Sequence, residues 1–121
     1  MTPRTAALIV NSPHNPTGMV LTEAELAAIA RIAVDADLLV ITDEVYEHLV
    51  YDGHRHRPLA GFAGMAERTV TISSAAKMFN CTGWKIGWAC GPADLLAGCG
   101  RPSSTSVTSA GRRFSRRWRT R

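Results

Sequence analysis

The chain has 121 residues, enough for one small domain with a core of its own. Hydrophobic residues make up 45% and charged residues 20%, the balance of a soluble globular protein and not of a disordered or membrane-embedded one. No apolar run approaches membrane-spanning length, and the N-terminus lacks the charged-then-apolar pattern of a signal peptide, so a cytoplasmic location is expected.

The formal net charge of +4 conceals two unlike parts. Residues 1–100 hold seven Lys and Arg against all ten acidic residues, a net of −3, whereas residues 101–121 hold seven Arg and no acid. Three cysteines, Cys81, Cys90 and Cys99, show no C-x-x-C pairing and read as reduced thiols, neither a disulfide frame nor a zinc site.

Ala6 to Asn11 is a continuous apolar run, expected as a strand covered on both faces. It ends in Ser12-Pro13-His14-Asn15-Pro16-Thr17-Gly18, where two prolines and a glycine enforce a turn. Thr22 and Glu25 are spaced as a capping box, and Leu26, Ile29, Ala30, Ala33 and Val34 predict a helix running to about Asp35. Leu38 to Ile41 predicts a second buried strand closed by Thr42-Asp43-Glu44, and Thr69 to Ile72 a third closed by Ser73-Ser74. Lys85 to Cys90 predicts a fourth. Strands alternating with a helix argue for an open α/β sheet, whose ligands sit beyond the carboxyl ends of its parallel strands. Polar residues occupy all three of those ends: Asn15, Asp43 and the run Ser74-Ala75-Ala76-Lys77.

Four motifs then stand in series: S-P-H-N-P-T-G, T-D-E-V-Y, S-S-A-A-K and G-W-K-I-G-W. In this order and spacing, residues 1 to about 97 resemble the class I/II aminotransferases of the pyridoxal-phosphate (PLP) fold type I. The last motif is most similar to the branch containing kynurenine and N-succinyl-diaminopimelate aminotransferases. The resemblance implies part of the large PLP-binding domain, a mostly parallel sheet with flanking helices, incomplete in this chain. It also implies transfer of an amino group between an amino acid and a 2-oxo acid, and a homodimer for the full-length protein.

The residue types suit that chemistry. PLP requires a lysine amine to hold it as an imine and to move the substrate's α-proton, and Lys77 matches that position. The pyridine nitrogen must stay protonated, which requires a carboxylate, and Asp43 matches it. Tyr46 and Asn15 supply hydroxyl and amide donors for the ring's phenolic oxygen. By resemblance, Ser74 and Lys85 contact the phosphate. Many relatives carry arginine where Lys85 stands, so a bidentate contact becomes a point charge here.

Simpler roles exist for each residue. Asp43 could cap a helix, Tyr46 and Trp84 could be core aromatics, and Lys85 a solvated cation. His54 and His56, alternate residues on a loop expected to be exposed, lack a third ligand, so no metal site is expected. Ser74-Ala75-Ala76-Lys77 is formally S-x-x-K, but the S-D-N and K-T-G partners of that nucleophile motif do not occur.

The resemblance also marks what is missing: a glycine-rich phosphate-binding turn and a ring-stacking aromatic upstream, and a carboxylate-gripping arginine downstream. A central fragment, inactive alone, is therefore expected, with an internal start, since Met1-Thr2-Pro3-Arg4-Thr5 is similar to a lead-in within longer relatives. Residues 98–121 lack apolar periodicity and read as a structureless basic tail, best explained by out-of-frame translation. Read one base earlier, suitable synonymous codons from Gly98 give V-R-A-A-K-Q-Y-L, and Cys99 and Trp118 each force an apolar residue. Two further readings are a non-catalytic interaction fragment that pairs with a full-length paralogue, and a nucleic-acid binder using the seven-arginine tail. The tail has no folded basic face or known motif, so no nucleic acid and no membrane partner is expected.

Overall fold

The computed structural model describes residues 2 and 4–97, and the backbone of 106–109. Five strands, β1 (Ala7–Asn11), β2 (Leu39–Asp43), β3 (Thr69–Ser74), β4 (Gly87–Gly91) and β5 (Ser106–Ser109), form one sheet in chain order. The first three are mutually parallel, β4 runs antiparallel to β3, and β5 is parallel to β4. Helix α1 (Glu23–Asp35) joins β1 to β2, the short α2 (Ala75–Met78) follows β3 directly, and α3 (Ala93–Ala97) follows β4.

Helix α1 starts where the capping box predicts. The Glu25 amide donates to Thr22 Oγ1 at 3.3 Å, and the Thr22 amide donates to Glu25 Oε2 at 2.8 Å, so two otherwise orphaned donors are satisfied. The far end is fastened by Arg68. Its Nη1 donates to Asp37 Oδ1 at 2.9 Å and its Nε to the Gly64 carbonyl at 2.8 Å. Leu26, Ala30 and Ala33 of α1 bury their side chains against Leu38, Val40, Leu59 and Met65, with Leu8, Val10, Leu21, Ile29 and Phe62 packed around them. This core lies on one face of the parallel strands.

Toward β1 the opposite face is uncovered among the described residues. Ile9 and Ile41 are register partners, as are Asp43 and Ile72, so the isoleucines share that face. Ile9 is 77% exposed and Ile72 42%, which leaves β-branched surface in water that a second layer of helices would otherwise cover.

The strand boundaries depart from the sequence expectation by one or two residues at several ends, most where function is expected. Strand β2 includes Asp43, and β3 continues through Ser73 and Ser74, because these residues still pair with their neighbours, Ser73 with Trp88 and Ser74 with Gly87. Strand β4 starts at Gly87, not at Lys85. A 3₁₀ turn over Thr82–Trp84 ends with Lys85 in the left-handed region at φ 53°, and the chain extends only after it. Gly91 is required by the close pairing of β4 with β3, since a Cβ there would lie 2.8 Å from the Thr69 carbonyl oxygen.

The expectation of a structureless segment from residue 98 does not hold for Ser106–Ser109, which run beside β4 as β5. The β-branched pair Val107-Thr108 suits extended backbone, and the outer edge of β4 offers unpaired amides and carbonyls. The rest of that expectation falls on residues outside those described.

Two outcomes follow from this packing. Thr22→Ala should cost about 1 kcal/mol in urea unfolding. Hydrogen bonds from the Thr22 amide first, and its hydroxyl second, hold the Glu25 carboxyl below its ordinary range. That contribution is present above the ordinary glutamate range and is lost as pH falls through the lowered value. Glu25→Gln, which removes the titrating group, should therefore flatten the acid limb of the stability profile, and Thr22→Ala, which keeps the amide, should flatten it less. The bare face predicts concentration-dependent self-association. Replacing Ile9 and Ile72 together by Thr keeps β propensity and should lower light scattering; unchanged scattering would show that the face is already covered.

Candidate active site

Because β1, β2 and β3 are parallel and paired in step, their carboxyl ends reach the same edge of the sheet. The antiparallel β4 brings its amino end there too, since Gly87 pairs with Ser74. Asn15, Asp43, Tyr46, Ser74, Lys77 and Lys85 all lie at or just beyond that edge.

Asn15 stands at the tip of the loop after β1. The loop is folded on itself: the His14 amide donates to the Met19 carbonyl at 2.8 Å, and the Gly18 amide to the His14 carbonyl at 2.7 Å. His14 Nδ1 lies 2.8 Å from Thr17 Oγ1, and the buried Ser12 hydroxyl accepts the Leu21 amide at 3.0 Å. Gly18 has φ 71°, a conformation that disfavours any side chain. These bonds hold Asn15 outward, exposed, while Pro13 and Ser12 are buried behind it.

Asp43 closes β2, and its Oδ1 accepts the Val45 amide at 3.3 Å, so it caps a turn and not a helix. That turn presents Tyr46, half-buried and outside the core. An open cleft of about 240 Å³ lies between the two loops, lined by Pro13, His14, Asn15, Pro16, Gly18, Tyr46 and Leu49.

Ser74 ends β3 and its hydroxyl accepts the Ala76 amide at 3.1 Å, capping α2, which carries Lys77 one residue further on. The Lys77 ammonium lies 6.0 Å from the centroid of the Tyr46 ring, at the outer limit of a cation–π contact. Lys85 is exposed at the far side of α2, where the Ala75 amide donates to the Ile86 carbonyl at 3.1 Å.

The cleft lining brings Asn15 and Tyr46 together; Lys77 lies outside that lining and approaches it only through the Tyr46 ring, and Asp43 stands three residues before Tyr46 at the end of β2. Ser74 and Lys85 stand beyond the cleft lining, around α2. Trp84 is 76% exposed and is no core aromatic.

One expectation needs correction. His56 does not sit on an exposed loop: its Nε2 lies 2.8 Å from Glu44 Oε2, with the two side chains only 10% and 4% exposed. A buried carboxylate recruits a buried donor, and Glu44 supplies that demand. Sequence reasoning passed over Glu44 as the neighbour of Asp43. The available signal was strand alternation, which sends adjacent side chains to opposite faces.

The edge therefore gathers an amine, a carboxylate, a phenol, an amide, a hydroxyl and a second ammonium. The family model described as "Aminotransferase class I and II" matches residues 1–118. The chain belongs to the class I and II aminotransferases. It is 81% identical over 98 residues to the probable N-succinyldiaminopimelate aminotransferase DapC of Mycobacterium tuberculosis, covering 81% of this chain and 25% of that protein. It is 56% identical over 93 residues to kynurenine–oxoglutarate transaminase 3 of Mus musculus, covering 77% and 20%. The solved structure of N-succinyldiaminopimelate aminotransferase from Mycobacterium tuberculosis superposes with a TM-score of 0.80 at 81% identity, over 81% of this chain and 26% of that one. Thermus thermophilus aspartate aminotransferase with maleate superposes at 0.74 and 48% identity, over 80% and 25%. The chain thus spans about a quarter of the length of the relatives it matches. Its sheet is part of the fold type I α/β architecture, and aminotransferases of this class use pyridoxal phosphate.

Proposed function

We propose that this chain is the cofactor-holding centre of a PLP-dependent aminotransferase that moves an amino group between an amino acid and a 2-oxo acid. The observation that carries this reading is the convergence on one sheet edge of the loops and strand ends bearing Asn15, Asp43, Tyr46 and Lys77, with Asn15 and Tyr46 lining one cleft and Lys77 Nζ 6.0 Å from the Tyr46 ring.

The donor set fits the cofactor group by group. When bound, PLP supplies an aldehyde that takes up an amino group and a ring that spreads the negative charge developing at the substrate's Cα. Lys77 Nζ is the amine that would hold it covalently and, when neutral, the base that takes and returns the α-proton. The Asp43 carboxylate would accept a hydrogen bond from the pyridinium N–H and so favour its protonated form. Tyr46 Oη and the Asn15 amide would donate to the phenolic oxygen. The Ser74 hydroxyl already accepts the Ala76 amide, which leaves its O–H free to donate to phosphate beside the Lys85 ammonium.

Arg57 and Arg68 are engaged with Glu23 and Asp37. By resemblance to the family, the arginine that grips a substrate carboxylate is placed in the part of the relatives that this chain does not match. The 121 residues alone accordingly do not turn over. The assembled enzyme is a homodimer working in the cytoplasm. Of the substrates named among the relatives, the 81% identity favours N-succinyldiaminopimelate over kynurenine as the amino donor.

Borohydride reduction of the chain with PLP, followed by peptide mapping, tests the site. The label should fall on Lys77 and vanish in Lys77→Ala. Label spread equally over Lys85 and the N-terminus would mean that no formed site exists. In a full-length enzyme carrying this segment, Asp43→Asn should keep the cofactor and lower turnover about 100-fold or more. Robust transamination by the 121-residue chain would overturn the division of labour proposed here.

A further inference from the structure

Tyr46 lies between two residues whose side chains are anchored below it. On one side, Glu44 turns its carboxylate into the core, on the same side as Thr42 and away from Asp43. There it meets His56 Nε2 at 2.8 Å. On the other side, Glu47 Oε1 accepts the Ser73 hydroxyl at 3.4 Å. The backbone joins the two: the Glu47 amide donates to the Glu44 carbonyl at 2.9 Å, and the Leu49 amide to the Tyr46 carbonyl at 2.8 Å. A further bond, from the Glu44 amide to the Ile72 carbonyl at 2.9 Å, ties the start of the turn to β3.

We propose that the Glu44–His56 pair is a positioning element for the candidate site, a strut that holds the Asp43–Leu49 turn and thereby fixes Asp43 and Tyr46 toward the cofactor. The proposal rests on the reading of the site given above. Three features favour it over simple core filling. The space beside the pair, lined also by Val10, Ser12, Leu26, Thr42, Arg57 and Leu59, measures about 10 Å³, room for one water at most while the imidazole is in place. Among the described residues, His56 is the one side chain that hydrogen-bonds the Glu44 carboxylate. A carboxylate this buried without its donor would be driven toward solvent, and its backbone carries the turn with it. The carboxylates of Glu44 and Glu47 and the His56 ring all lie within 4.8 Å of one another, so loss of the ring N–H also leaves two acids facing each other.

His56 also fastens a loop. Residues 51–55 are exposed, and the chain returns to the core at His56, 12 residues after Glu44. The strut therefore links the turn bearing Tyr46 to the loop that follows it, beneath the edge of the sheet and out of contact with the cleft.

Amide hydrogen exchange on the full 121-residue chain, read by mass spectrometry at low concentration, tests this against packing alone. His56→Leu fills similar volume without a donor, whereas His56→Gln puts an amide N–H near the place of Nε2. In His56→Leu, exchange at the Glu47 and Leu49 amides should rise at least about tenfold, with Ala30, Ala33 and Val40 unchanged. His56→Gln should stay within about threefold of the wild type at every amide. A uniform rise, no rise, or wild-type amides at 47 and 49 that are already unprotected would overturn the strut. Borohydride trapping of PLP on Lys77 gives the second reading. Yield should fall several-fold in His56→Leu and recover in His56→Gln; equal yields despite a loosened turn would overturn the positioning role. If the wild type traps no PLP on Lys77, the cofactor reading of the site fails and the positioning role with it, whereas segment-selective exchange would still establish the strut.

Discussion

The parallel pairing of β1, β2 and β3 is the constraint on which everything at the site depends. Each strand alone delivers one polar residue to its carboxyl end. Only a ladder paired in step, with Asn11 beside Asp43 and Asp43 beside Ile72, brings those ends level. The ladder continues past the last strand residues, through Ser12 to the Asp43 carbonyl at 3.3 Å and Glu44 to the Ile72 carbonyl at 2.9 Å. The first residue of each loop is therefore still held by the sheet. A slip of one residue would exchange the faces of every side chain, sending Asp43 into the core and Glu44 into the cleft.

Among the described residues the main core covers one side of the sheet, while on the other side Val70 is buried but Ile9 and Ile72 are not. Helix α1, Leu59 and Met65 bury the face carrying Leu8, Val10 and Val40, and hydrophobic burial there of about 1.5–3 kcal/mol per fully buried large side chain holds the strands in register. Ile9 and Ile72 on the other face contribute little of this. A sequence that places β-branched residues on both faces encodes a two-sided sheet, and a chain matching a quarter of its relatives' length supplies one side. The site nonetheless lies at the strand ends, where the geometry is set by the ladder and the α1 side of the core.

Much of this was legible in the sequence because the deciding signals are local. The capping box at Thr22 and Glu25 set the start of α1, and the polar residues ending three apolar runs marked the sheet edge where the candidate site lies. What escaped was set by contacts distant in the chain. Nothing near His54-Arg55-His56 announces a buried partner 12 residues earlier, so a histidine between arginines read as solvated. Lys85 read as strand because it leads an apolar run, yet the tight 3₁₀ turn before it closes in the left-handed region and delays β4 to Gly87. The strand at Ser106–Ser109 was invisible for a related reason. A short Ser-Val-Thr-Ser segment carries no periodicity, and it extends because β4 offers an edge.

The adjacent acids Asp43 and Glu44 show how a site of this kind is joined to its core. Two neighbouring residues at a strand end must face opposite ways, so one can serve the cleft only if the other enters the interior. A buried carboxylate is costly unless hydrogen-bonded, which makes His56 a requirement of the backbone path and not an accident of packing. Glu47, half-buried and next after Tyr46 in the chain, adds a weaker tie by accepting the Ser73 hydroxyl at 3.4 Å. Tyr46, half-buried at the sheet edge, has no core of its own to hold it. Glu44, two residues before it, supplies that rigidity by burying its carboxylate, and the burial is tolerable because His56 lies within reach as a donor.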